Sequence, residues 1–147
     1  MIRYGKTTQT AIAAMSRLAE AYESGQQLSS HDVARDREIA QTLVAKLLTT
    51  LSQAELVAGS RGPGGGYSLA RPPQEISLLD IVNVFERQDG NMVCPFGPNW
   101  CGSNEPCPLH EDYVAFTDRF NNWLSSTTLA VFTTSSKERP TRKRKAK

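Results

Sequence analysis

The chain has 147 residues, with 39% hydrophobic and 22% charged residues and a formal net charge of +2. That is the length of one domain, or of one small domain plus an oligomerisation segment. The apolar run from Ile76 to Phe85 contains Asp80 and Asn83 and is too short and too polar for a transmembrane helix. No export leader is evident after Met1, so a cytoplasmic location is expected.

The small net charge hides three regions. Met1 to Arg71 carry eight Lys/Arg against six Asp/Glu, Pro72 to Ser136 two against eight, and Lys137 to Lys147 seven against one. A slightly basic front, an acidic middle and a basic tail predict different partners for different segments.

Thr7 to Ser24 is predicted to be an amphipathic helix, with Ile12, Met15, Leu18, Ala19 and Tyr22 at three- and four-residue spacing and Gly25 ending it. A shorter helix follows Leu28, because Ser29 with Asp32 three residues on is a capping-box start, and it turns Val33 and Ala34 inward. A third helix is predicted from Ala40 to Gln53. Its apolar stripe is Leu43, Leu47, Leu48 and Leu51, leaving Gln41, Thr42, Ala45, Lys46 and Thr49 outward or lateral. Three short helices in about fifty residues outline a helix-turn-helix or a plain three-helix core.

The following segment separates these two readings. Leu56 to Ala58 and Tyr67 to Leu69 are strand candidates flanking Arg61-Gly62-Pro63-Gly64-Gly65-Gly66, a hairpin with a glycine-rich tip. A hairpin straight after the third helix is the wing of a winged helix-turn-helix, closed by Pro72-Pro73. Ser77 and Asp80 cap a further helix that is apolar on more than one side, through Leu78, Leu79, Ile81, Val82, Val84 and Phe85. Gln88 to Pro108 is read as a loop and Glu111 to Phe132 as one long helix. On that helix Tyr113, Phe116, Phe120, Trp123, Leu124 and Val131 form a near-heptad face, read as a dimer seam. Ser135 to Lys147 is expected to be disordered. The fold class is therefore mainly α: a winged helix-turn-helix with a small β-hairpin wing and a long C-terminal dimerisation helix. Its parts are a DNA-binding domain (1–73), a linker helix, cysteine loop and dimerisation helix (74–135), and a basic tail (136–147).

Strand rather than helix follows the glycines, and no Gly-Lys-Ser/Thr appears, so neither a dinucleotide site nor a P-loop is supported. A wing has its own use for Gly62, Pro63, Gly64, Gly65 and Gly66, since bare backbone approaches a sugar–phosphate wall closely. Arg61 beside them suits a narrow minor groove. On the third helix, Gln41 and Thr42 suit base edges in the major groove and Lys46 suits guanine or a phosphate. The basic tail is expected to add affinity for double-stranded DNA without sequence choice.

The strongest chemical signal is Cys94-x6-Cys101-x5-Cys107-x2-His110, set in a Gly-, Pro- and Asn-rich stretch with no apolar core of its own. Three readings stand side by side: an iron–sulfur cluster, structural zinc without the usual tight Cys-x2–4-Cys knuckle, and a thiol switch that leaves His110 without a task. An enzyme is disfavoured. His31 and His110 are the only histidines, no nucleophile–base set stands out, and no small-molecule substrate is expected.

The helix-turn-helix, the Arg61-Gly62-Pro63-Gly64-Gly65-Gly66-Tyr67 run, the three cysteines and the long helix resemble the bacterial regulators of the iron–sulfur cluster regulator (IscR) and nitric-oxide-sensing repressor (NsrR) type. The resemblance implies a homodimeric DNA-binding repressor or activator whose iron–sulfur cluster adjusts operator affinity. By the same resemblance, such a regulator is expected to sense iron–sulfur status, redox state or nitric oxide. Closest to the IscR branch, it implies Cys94, Cys101, Cys107 and His110 as ligands of a 2Fe–2S centre, with a 4Fe–4S cluster as the variant. In the nitric-oxide-sensing branch the fourth ligand is an acidic residue near the partner's amino terminus, and Met1 to Ala19 contain no Asp or Glu. The six-residue first cysteine gap, and Ala40 and Ala45 on the third helix, depart from the family pattern, so operator sequence does not carry over. The alternative is a zinc-stabilised or thiol-only DNA-binding module without a cluster.

Overall fold

The computed structural model describes residues 5–86 and 106–135. The expectations for most of the 88–108 loop, for Cys94 and Cys101, and for the tail beyond residue 135 lie outside the described residues.

Helix α1 (Lys6–Tyr22) is the hub, packing against the second, third, fourth and sixth helices and the second strand. Ala11, Ala14, Met15, Leu18 and Ala19 are buried along it, and the alanines let several neighbours approach the same helix closely. It ends at Tyr22, and the turn after it closes at Gly25, whose N–H donates to Tyr22 O at 3.1 Å and whose φ of 67° suits a residue without a Cβ. Helix α2 (Ser30–Arg37) starts with the predicted capping box. The Asp32 N–H donates to Ser29 Oγ and the Ser29 N–H to Asp32 Oδ2, each at 3.1 Å.

Helix α3 (Gln41–Gln53) corrects the expected stripe. Val44, Leu47, Leu48 and Leu51 face the core, whereas Leu43, which was expected inward, is 36% exposed. The buried positions follow the i, i+3, i+4, i+7 rule from residue 44, and Leu43 sits a quarter turn off that line.

Strands β1 (Val57–Ser60) and β2 (Gly66–Leu69) form an antiparallel hairpin in which Val57 faces Leu69 and Ser60 faces Gly66. The connection between α1 and α2 adds to it. Leu28 and Tyr67 exchange backbone hydrogen bonds at 3.0 and 2.8 Å, so the wing is sewn to the helical unit. A 3-10 turn (Pro73–Glu75) leads to α4 (Leu78–Phe85), whose Ser77/Asp80 capping box also forms as predicted.

The expected helix from Glu111 to Phe132 is broken in two. Helix α5 (His110–Ser126) ends where Thr127 turns extended, and α6 (Ala130–Ser135) folds back onto α1. Residues 127–129 pair instead with the extended segment before α4: the Leu78 N–H donates to Thr127 O and the Leu129 N–H to Ile76 O, both at 2.9 Å. The amides and carbonyls of Ile76 to Leu78 need partners as they enter the core, and a local helix cannot supply them. Leu124 and Leu129 consequently join Ile76, Ile81 and the α1 residues in one continuous core. The predicted near-heptad face is therefore divided, with Leu124 buried in the core and Val131 on a different helix.

Candidate nucleic-acid interface and cysteine segment

The turn between α2 and α3 is built on Glu38, in the left-handed region at φ 55°, with the Ile39 N–H donating to Ala34 O at 2.9 Å. That turn is held against α1 by two ion pairs. Arg17 Nε donates to Asp36 Oδ2 at 2.8 Å, and Arg37 Nη2 to Glu20 Oε1 at 2.7 Å. The Arg37 guanidinium also reaches Ala13 O and Ser16 Oγ, so its planar fork satisfies three acceptors at once. The hydrogen bond from Arg17 is the main reason the Asp36 carboxyl lies below the ordinary carboxylate value, and the Ser29 hydroxyl lowers Asp32 in the same way.

With α3 so anchored, Gln41, Thr42 and Lys46 are all exposed on its first turns, as expected for residues that read or grip a duplex. Toward its other end, α3 and the hairpin enclose a groove of about 300 Å³, lined by Thr49, Ser52, Gln53, Gly59, Ser60, Arg61 and Tyr67. Gln41, Thr42 and Lys46 are not among its lining residues. The predicted contacts thus fall into a helix-tip set and a wing set, which suits a surface that follows a duplex from one groove to the next.

Arg61, Gly62, Pro63 and Gly64 are exposed at the hairpin tip, whereas Gly65 and Gly66 are half-buried. The structure supplies a reason inside the fold for the last two. A Cβ on Gly65 would lie 2.5 Å from Ser60 O, and one on Gly66 would lie 2.8 Å from Leu28 O. Gly62 and Gly64 have left-handed backbones, at φ 94° and 77°, which by themselves favour glycine; a Cβ there would meet nothing within 4 Å, so the tip also presents open backbone. Sequence reading missed Gln27, whose Oε1 accepts from Ser60 Oγ at 2.6 Å. The pair spans 33 residues, and neither local periodicity nor a motif signals it.

Of the expected metal ligands, Cys107 and His110 are described, and both are half-buried. The His110 N–H donates to Cys107 O at 3.0 Å, closing a turn at the start of α5 that brings the two residues together. Cys107 is free of any disulfide. A free thiol and an imidazole three residues apart at a helix start suit a soft metal centre. Among the described residues no group of three or more His, Cys, Asp or Glu is assembled, and Cys94 and Cys101 lie outside them.

Three helices and a hairpin, with the third helix and wing presenting exposed polar and basic groups, form a winged helix-turn-helix, the architecture of a class of DNA-binding proteins. The family model for Rrf2, described as "Iron-dependent Transcriptional regulator", matches residues 4–135, and the chain belongs to the Rrf2 family. The HTH-type transcriptional regulator IscR of Cronobacter sakazakii is 28% identical over 119 residues, covering 81% of this chain and 72% of that one. Two solved structures share the fold. CymR, the global cysteine regulator of B. subtilis, aligns with a TM-score of 0.76 at 24% identity, over 92% of this chain and 98% of that one. T. potens IscR aligns with a TM-score of 0.72 at 21% identity, over 99% and 93%. No helix among the described residues is long and apolar enough to cross a membrane.

Proposed function

We propose that this transcriptional regulator works in the cytoplasm as a homodimer whose operator affinity is set by an iron–sulfur cluster, of 2Fe–2S type, held by Cys94, Cys101, Cys107 and His110. The observation that carries the cluster reading is the half-buried, disulfide-free Cys107, tied by a backbone turn to His110. These are the last two members of the Cys94-x6-Cys101-x5-Cys107-x2-His110 donor set, and the family description as iron-dependent agrees with it. When bound, the cluster supplies a redox- and nitric-oxide-sensitive group. The chain's own residues do the rest. Cys107 and His110 sit at the amino end of α5, so ligation there constrains where that helix begins. Helix α5 packs on α4, and α4 on α1, the hub of the DNA-binding unit.

The dimer is supported by Leu109, Phe116 and Trp123, which are 51%, 59% and 50% exposed at seven-residue steps. Gln41, Thr42, Lys46 and Arg61 hold the duplex, and the basic tail adds phosphate contacts. Removing Lys137 to Lys147 lowers the slope of log affinity against log salt by about 0.9 per lost contact.

The test is anaerobic purification followed by metal analysis, absorption spectroscopy and operator binding. The expected result is brown protein with stoichiometric iron and sulfide, absorbing between roughly 300 and 550 nm. Its operator affinity should change about 100-fold on cluster removal, which requires about 2.7 kcal/mol of coupling. Colourless protein with stoichiometric zinc, or metal-free protein whose binding responds only to thiol oxidation, assigns the segment to the zinc or thiol alternative. A 4Fe–4S spectrum changes the cluster type alone.

A further inference from the structure

Of the exposed residues of α3 (Gln41, Thr42, Leu43, Lys46, Thr49 and Gln53), all but Leu43 are polar. Leu43, third residue of the helix, lies next to Thr42 and one turn before Lys46, and it is 36% exposed. It is not one of the buried core side chains, and about a third of its surface is open to solvent. The open third of this aliphatic side chain stabilises nothing in the free protein, and its burial can come only from what it covers in a complex. The first turn of a helix-turn-helix reading helix meets base edges. The apolar group that the major groove offers there is the 5-methyl of thymine.

We propose that Leu43 is a specificity-determining residue that packs on a thymine 5-methyl group in each half-site, complementing the polar contacts of Gln41, Thr42 and Lys46. The proposal rests on α3 being the helix that enters the major groove. Its chemistry differs from theirs, because a methyl contact selects thymine over uracil and cytosine without a hydrogen bond.

The experiment uses the full chain and a duplex that it selects from a random pool, with thymines replaced one at a time by uracil. This substitution removes the methyl and leaves base pairing intact. The expected result is one thymine per half-site at which uracil weakens the wild-type protein about fourfold, or about 0.8 kcal/mol at about 1.4 kcal/mol per tenfold. Leu43→Ala binds the thymine and uracil duplexes equally, while Leu43→Met, which keeps the apolar reach, retains the difference. The wild-type scan stands by itself whether or not the variants fold. Equal uracil effects in wild-type and Leu43→Ala proteins, or no responsive thymine, overturn the role of Leu43 while leaving α3 as the reading helix. A chain that selects no duplex at all overturns both.

Discussion

The Thr8 hydroxyl, completely buried in the first turn of α1, donates to the Glu86 carboxylate at the end of α4. The same Glu86 oxygen accepts the Gly5 N–H at 2.6 Å. One side chain therefore caps the amino end of the hub helix from a position 78 residues away in sequence, where the cysteine-bearing segment departs. A carboxylate at a helix amino terminus satisfies an orphan N–H and interacts favourably with the helix dipole.

Thr8→Val, which keeps shape and loses the hydroxyl, should lower stability by about 1.5–3 kcal/mol, the range for a hydrogen bond to a charged group. Glu86→Ala should cost more, since it also strands the Gly5 N–H. The double variant should cost less than the two singles added together, because both remove one shared bond. Urea unfolding of the four proteins checks this, and strict additivity would show that the bond contributes nothing.

Arg37 is the second point where distant segments meet, joining α2 to Ala13, Ser16 and Glu20 of α1. Arg37→Ala should destabilise the chain by about 2–4 kcal/mol, since it leaves Glu20 without its partly buried partner. Lys at this position recovers only part of the loss, because a single ammonium cannot reproduce the planar fork. Operator affinity should fall along with the melting temperature, as α2 sets the seat of α3. A variant with unchanged melting and lost DNA binding would instead make Arg37 a direct DNA contact.

The pH dependence follows from Asp32 and Asp36. Both carboxyls are lowered in the folded chain, Asp36 chiefly by the Arg17 hydrogen bond and Asp32 chiefly by the Ser29 hydroxyl. On acidification the unfolded chain takes up these protons first. The stability they contribute is therefore complete above about pH 4–5 and lost as pH falls through the lowered folded values. Urea midpoints measured from pH 7 down to pH 3 should decline at the acid end, and Asp36→Asn should flatten that decline. An unaltered acid limb in Asp36→Asn would remove Asp36 from the account.

Phe116 and Trp123 test the dimer. Replacing both with Ser removes exposed aromatic surface without touching buried Leu124. Sedimentation should then show a monomer that keeps its helical signal, with operator affinity reduced at least tenfold once the two half-sites are no longer bound together. A double variant that sediments as the wild-type dimer would move the interface elsewhere.

Much of this was legible in local sequence. Both capping boxes, Ser29 with Asp32 and Ser77 with Asp80, formed as read, because their hydrogen bonds close within three residues. The winged helix-turn-helix was legible because helix period, turn glycines and hairpin follow one another in short range. The cysteine spacing was equally visible, although two of its members lie outside the described residues.

Three features were set by contacts that no local pattern encodes. The choice of Val44 over Leu43 for the core depended on a quarter turn of α3, which is fixed by what α3 packs against. The break at Thr127 arose because Ile76 to Leu78 needed backbone partners more than the helix needed continuity. Gly66 was reserved by the approach of Leu28, a neighbour from the far side of α2 and α3. Sequence alone determined most of the elements, the hairpin and the donor types set along the chain, since capping, periodicity and residue chemistry act within a few residues. Only the tertiary structure decided which faces are covered and where the helices stop, since burial and backbone pairing depend on segments far apart along the chain.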